Sequence, residues 1–478
     1  MLIDRIVRLL PLLTTILLAG CSYVNEQLND PHLLLGNRAR NQTLSAVFAD
    51  VSPPGDPAVV SMLHSANAVK APVQSRPAPP DADGYFVGVA LSGGGSRSAN
   101  FTAACMFQLE RLGFMRHVDY ISSVSGGSLT GAYYCAGGDE EWNPANVQKR
   151  LTHSFASDMI WRSMLPWNLA AYTFTDWDRS DVMADIFRRT LFHRGQRALT
   201  FADLRPDRPR LLINAADLQT GRRFVFCNET FDDMNSDLSK YPLCYAVAAS
   251  SAVPVVLHPV TLRDYSTTFP QYRHLIDGGV SDNLGLQTLV ETYASQIASA
   301  ARSGRPDPYP HGAVFVIINS QKRFNARLSS MSDVGLLTSI TTAMGLTSHS
   351  MVNRANSATL AETIVDNAAD KVTALELRTK IHDLDKDGFV SVSDRSGHTV
   401  RVIYISFSQL DSLPNLPFDD FSQVVNHIDT YFNISAAEAY SLYEAAELLV
   451  KGKLERNVRD IVKEIEAAGP GKPATEPD

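Results

Sequence analysis

Apolar residues along this chain follow two periods. Phe86 to Leu91 is an unbroken apolar run, as a strand buried on both faces requires. It leads into the loop Ser92-Gly93-Gly94-Gly95-Ser96-Arg97-Ser98. From Ala99 to Leu112, the residues Phe101, Ala104, Cys105, Phe107, Leu109 and Leu112 recur in helical register. A second unit follows. Val118, Tyr120 and Ile121 predict a short strand, Ser123 to Gly127 a sharp turn, and the stretch to Ala136 a helix. Two strand–helix units about thirty residues apart make one right-handed βαβ unit. Both loops then lie at the carboxyl edge of adjacent parallel strands, where α/β proteins build sites. Further on, Ala313 to Asn319 reads as another buried parallel strand and Arg401 to Phe407 as a strand of the same or an edge sheet. Ser435 to Glu466 reads as helices, with Leu442, Ala446, Leu449 and Val450 on one stripe.

The two ends change the picture. Arg5 and Arg8 precede a mostly apolar run, Leu9 to Leu18, which is too short to span a membrane with proper flanks. The run closes Leu18-Ala19-Gly20-Cys21 and resembles the lipobox of bacterial lipoproteins, which implies cleavage before Cys21 and lipid attachment there. Ser22 at the next position implies outer-membrane sorting in the cell envelope. Residues 22–83 read as a tether with short local structure, ending in the Pro-rich stretch KAPVQSRPAPPDAD from Lys70 to Asp83. With 478 residues, 45% hydrophobic and 20% charged, the remainder can fill one large domain with appendages. The net charge of −8 gives no basic surface for a nucleic acid. Beyond Cys21 the cysteines are Cys105, Cys135, Cys227 and Cys244. Cys105 and Cys135 read as buried thiols, and Cys227–Cys244 is the one pairing worth expecting.

Candidate chemistry sits in the two loops. A serine at a strand-to-helix turn needs small neighbours two positions either side, because the backbone there is crowded. Ser125, between Ser123 and Gly127, meets that need, whereas Ser122 and Ser123 follow Tyr120 and Ile121 at two residues. The glycine loop puts free backbone N–H groups at a helix N-terminus, an anion site. A nucleotide phosphate and an oxyanion from acyl transfer both suit it, but the G-x-x-x-x-G-K-[ST] pattern is absent.

With these residues in view, the chain resembles the patatin-like phospholipases, with a further likeness to cytosolic phospholipases in LSGGGSRS and VSGGS. A third motif, Asp277-Gly278-Gly279 inside HLIDGGVSDNLG, carries the resemblance, as do Leu211 to Phe226 and Ala246 to Val260. The resemblance implies a three-layer α/β/α fold with a mostly parallel central sheet and a lipid acyl hydrolase of phospholipase A or lysophospholipase type. It implies a catalytic dyad of Ser125 and Asp277, oxyanion donors from Gly93, Gly94, Gly95 and Gly126, and Arg97 on a substrate phosphate. Membrane phospholipid is the implied substrate partner, and no cofactor is required. The expected organisation is a signal peptide at 1–20, tether and linker at 21–84, catalytic core at 85–296, C-terminal completion of the fold at 297–468 and a polar tail at 469–478. Ser98 and Ser123 stand where the family carries glycine, and glycine-only backbone angles would strain there.

Alternatives remain at this level. A Ser–His–Asp hydrolase would draw on His311, His349, His382, His398 or His427. A general carboxylesterase, or a decayed lipoprotein that binds lipid or a partner without turnover, fits Ser98 and Ser123. The segment Asp139 to Pro209, with Trp142, Trp161, Trp167 and Trp177, reads first as core and cap packing and second as a lid or acyl-chain wall. Asp383 to Asp394 has D-x-D-x-D-G spacing with an acid at position twelve, so Ca2+ there and a plain hairpin turn are both open.

Overall fold

The computed structural model describes residues 29–30, 83–254, 256–267, 269, 271–321, 384, 386–393, 397–430 and 432–469. The first expected unit is present. Strand β1 (Tyr85–Leu91) leads into helix α1 (Gly95–Arg111), and β2 (Tyr120–Val124) into α2 (Gly126–Ala136). α1 begins four residues earlier than its apolar register suggests, because the glycine loop itself turns into the first helical turn. The remaining strands of the main sheet are β3 (Arg210–Asp217), β4 (Arg223–Phe226), β5 (Val260–Asp264), β6 (Gln271–Asp277), β7 (Gly312–Asn319), β8 (Phe389–Ser393) and β9 (Thr399–Ser406). Their order is β8-β9-β7-β1-β2-β3-β6-β5, with β4 on the far side of β3.

β9, β7, β1, β2 and β3 run parallel, and the other pairings are antiparallel. Side chains alternate across the sheet. Val87, Val89 and Leu91 of β1 enter one core with α1, α2, α5 (Arg179–Thr190), α6 (Leu243–Ser250), α8 (Ala436–Glu447) and α9 (Glu455–Ala468). Phe86 and Ala90 enter a second core under α7 (Leu286–Arg302) through Leu286, Leu289 and Tyr293. The architecture is therefore three-layer α/β/α around a mostly parallel mixed sheet.

The register of β3 determines where the chemistry sits. One edge pairs with β4 over Ile213 to Ala216. The opposite edge is shared. β2 covers it up to Val124 against Asn214, and β6 takes over with Asp277 against Ala215. β2 runs parallel to β3 and β6 antiparallel, so the carboxyl ends of β2 and β6 meet head to head on that edge. The residue after Val124 is Ser125, and the last residue of β6 is Asp277.

Two expectations change, and the tether gains a detail. Cys227 and Cys244 do not pair; all four described cysteines are free thiols. Cys227 lies in the core under α7 and Cys244 in the core on the other face, so the sheet separates them. The tether is seated in part: the buried Asn29 accepts from Arg263 N at 2.7 Å and donates to Arg263 O at 2.9 Å, in the manner of an added ladder residue. The tryptophans divide. Trp142 stacks on Phe107 and is buried, whereas Trp161 on α3 (Phe155–Ser163) and Trp167 on α4 (Pro166–Phe174) are 73% and 66% exposed. Core packing is thus wrong for Trp161 and Trp167, because α3 buries only Phe155 and α4 buries nothing. Cys21, the signal and tail segments, and Asp383, Asp385 and Asp394 of the calcium-spaced loop lie outside the described residues.

Candidate active site

Ser125 holds a backbone conformation that side chains rarely adopt, φ 50° and ψ −119°. Such a position costs about 1–3 kcal/mol and persists only where its surroundings fix it. Here its N–H donates to Ser250 Oγ at 2.8 Å, and its carbonyl accepts from Ser128 N at 2.9 Å. Gly126 packs flat on the neighbouring loop, where a Cβ would overlap the Gly95 carbonyl. The small-neighbour rule is therefore met chiefly on the helix side.

The expected strain at Ser98 and Ser123 is absent. Among the described non-glycine residues only Ser125 and Asn235 have positive φ. Ser98 lies in the first turns of α1 and donates to Ser92 O at 2.5 Å. Ser123 is an ordinary strand residue whose Oγ accepts from Ser128 at 3.1 Å. Beneath the elbow lies a wholly buried polar network. Asn214 Nδ2 donates to Ser122 Oγ and Ser123 O, both at 2.9 Å, and Ser250 Oγ donates to Asn214 O at 2.6 Å. Each group is satisfied, so the network fixes the turn without orphaned polar atoms.

Asp277 faces Ser125. Its N–H donates to Ala252 O at 2.9 Å, and its Oδ1 accepts from Gly279 N at 2.7 Å. The Ser125 side chain lies close enough to steady its charged form. Burial pushes the carboxyl up to about 6 from an ordinary 3.8, and Gly279 N–H and the Ser125 side chain pull the other way without overcoming it. The loop after it is tied by Asp282, which accepts from the N–H groups of Leu284, Gly285 and Gln287.

The glycine loop divides its donors. Gly93 N donates to Asn283 O at 3.0 Å, so it is occupied and leaves the expected oxyanion set. Gly94 N and Gly95 N open α1, and Gly126 N opens α2; none of the three has an acceptor among the described residues. Gly95 and Gly126 pack on one another next to Ser125, and all three glycines stand at the positive ends of two helices.

Arg97 has a different task from the one expected. Its side chain is 1% exposed and its Nη1 donates to Ile428 O at 2.9 Å. Burial lowers it to about 9, against the pull of Asp429. It bolts the glycine loop to the segment before Phe432 and does not present its charge to a headgroup. The histidine alternative finds no support in the described residues: His311 packs at a tilt against Tyr85, His398 meets Asp307 at 3.3 Å, and His427 bonds Gln423 O at 2.7 Å. His349 and His382 lie outside the described residues. Among the described residues no group of three or more His, Cys, Asp or Glu could hold a metal ion.

Sequence reasoning missed Ser250, Asn214 and Asn283. Asn283 supplies the carbonyl that holds Gly93, and its Oδ1 fills the space beside Gly93 and Gly279. Its place six residues after Asp277 was the available signal.

Residues 89–290 match the family described as Patatin-like phospholipase. Among solved structures, 22 chains match. Human GIVD cytosolic phospholipase A2 is 12% identical, with a TM-score of 0.45, over 81% of this chain and 63% of that one. The same enzyme in complex with methyl gamma-linolenyl fluorophosphonate is 15% identical, with a TM-score of 0.42, over 81% and 60%. VipD from Legionella pneumophila is 11% identical, with a TM-score of 0.29, over 77% and 67%. The chain thus spans less than two thirds of the length of the human enzyme. No curated protein matches.

Proposed function

We infer, from a patatin-like phospholipase domain that occupies residues 89–290, that this chain hydrolyses carboxylic esters of lipids through Ser125 and Asp277. The observation that carries the reading is the meeting, on one edge of β3, of a serine held in a strained turn and a buried carboxylate at the ends of β2 and β6. Ser125 Oγ attacks the ester carbonyl as its proton passes to Asp277. The resulting oxyanion takes hydrogen bonds from Gly94, Gly95 and Gly126 N–H, each of the kind worth about 10²–10³ in rate. The leaving alcohol takes the proton from Asp277, and an acyl-enzyme remains. Water, deprotonated by Asp277, then attacks the acyl carbonyl, the bond to Ser125 Oγ breaks with the proton returned from Asp277 to that oxygen, and the fatty acid leaves.

A carboxylate is a weak base for a hydroxyl. Burial that raises it to about 6 narrows the gap while leaving it ionised at neutral pH. The alternative of a decayed binding protein rested on Ser98 and Ser123, and their ordinary backbone removes that support.

The same reading attaches the chain to a bacterial envelope membrane through Cys21. Asn29 is clamped to Arg263 only eight residues later. The spacer is then at most about 28 Å, and the Pro-rich stretch is not the standoff. A fluorophosphonate probe tests the nucleophile. Labelling of the peptide holding Ser125 supports the reading; an unlabelled, folded protein overturns it.

A further inference from the structure

Soluble helices bury their apolar face and turn polar groups to water. The α3–α4 hairpin does the reverse. Tyr172 Oη donates to Ser163 Oγ at 3.0 Å and Asn168 Nδ2 to Arg162 O at 2.7 Å, which tie the two helices together. Arg162 Nη1 meets Asp185 of α5 at 3.3 Å, which ties the hairpin to the body. Outward stand Ile160, Trp161, Met164, Trp167 and Leu169, each more than half exposed. From Met159 to Thr175 the only formal charge is Arg162, which is drawn onto Asp185, a carboxylate it shares with Arg188 and Arg189.

The hairpin joins the body close to the segment that follows Ala252, the partner of Asp277. Ala252, which accepts from Asp277 N, is followed by the exposed Val253 and Val256. Two residues later, His258 O accepts from Ser180 Oγ in the first turn of α5, where α4 hands over to the body. On the other side of Asp277, Val280 is also more than half exposed. Exposed apolar residues thus stand on both sides of the carboxylate, and one of these segments is tied to the body where α4 joins it.

We propose that the α3–α4 hairpin is an interfacial docking element that seats the mouth of the active site on a lipid surface. The proposal rests on the lipid-hydrolase reading for its purpose but not for its test. The occupant is a zwitterionic lipid surface. The patch offers apolar side chains and two tryptophans, which favour the headgroup boundary. Its one cation is drawn onto Asp185, so apolar contact dominates what the patch presents. A second copy of the chain is the competing occupant and becomes an outcome of the test.

The test uses the full chain carrying Cys21→Ser, so that no acyl group can tether it, and Ser125→Ala, so that lipid is not consumed. It is mixed with phosphatidylcholine vesicles, plain or with brominated acyl chains. The expected result is co-sedimentation that high salt does not reverse, with tryptophan emission quenched by the bromines. Replacing Trp161 and Trp167 by Ser lowers partitioning at least about tenfold and removes the quenching. In the chain with Ser125 intact, the same pair of changes lowers hydrolysis of vesicular lipid at least about tenfold more than hydrolysis of a water-soluble short-chain ester. Absence of vesicle binding, binding that survives the double change, or a patch-dependent dimer that excludes vesicles overturns the proposal. Vesicle binding without hydrolysis of any ester overturns the enzymatic reading alone. Ester hydrolysis without vesicle binding overturns the docking element alone.

Discussion

Asp277→Asn should make the protein both inactive and more stable. The change keeps the side-chain shape, and an Asn Oδ1 can still accept from Gly279 N. What it removes is a charge that the site holds at a cost. The Asp277 carboxyl titrates at about 6 in place of 3.8. Each tenfold change in proton affinity is about 1.4 kcal/mol, so an ionised Asp277 at pH 7 costs roughly 3 kcal/mol. The direction follows from proton binding. Between pH 4 and 6 the folded protein keeps a proton that the unfolded chain has released, so rising pH destabilises the wild type through that window. Above pH 6 the penalty is constant, and below pH 4 it is absent. The variant should therefore exceed the wild type by up to about 3 kcal/mol at pH 7.5, or about 3–6 °C in Tm for a domain of this size. The gain should shrink steadily towards pH 4. Thermal melts of both proteins across that range, beside turnover at pH 7.5, read the effect. A variant less stable than wild type at pH 7.5, or an offset that does not change with pH, refutes the reasoning: the site would then favour the carboxylate.

Three other outcomes follow from the same geometry. Ser125→Gly relieves the positive φ and should raise stability by about 1–2 kcal/mol in chemical denaturation, whereas Ser125→Ala, which keeps a Cβ, should give no such gain. Arg97→Met unbolts the glycine loop from Ile428 and should lower Tm by several degrees. It should slow phosphate-bearing and phosphate-free esters by the same factor, and a loss confined to phosphate-bearing esters would return Arg97 to the headgroup. In a pH–rate profile, kcat/KM should fall about tenfold per unit below pH 6 and stay level between pH 7 and 9, as the loss of ionised Asp277 dictates.

The parts of the site legible in the sequence are those written locally. The unbroken run of β1, the helical register after Gly95 and the small residues around Ser125 each report a backbone need within a few positions. Asp277 was legible through the residues beside it. What was not legible depends on distant partners. Arg97 reads as a free cation until Ile428, 331 residues on, is brought against it. Gly93 reads as a free donor until Asn283 occupies it. The separation of Cys227 from Cys244 needs the sheet between them. The sharing of one β3 edge by β2 and β6, which brings Ser125 to Asp277, follows from register and not from periodicity. Trp161 and Trp167 look like core in one dimension because apolar content says nothing about which face the polar ties occupy.

The most direct test of the central claim is fatty-acid release from phosphatidylcholine and lysophosphatidylcholine by the wild type, Ser125→Ala and Asp277→Asn, each first shown to be folded. The account predicts release by the wild type and a loss of at least about a thousandfold in both variants. Release that persists in Asp277→Asn, or a folded wild type that releases no acid from either lipid or from short-chain esters, would contradict it.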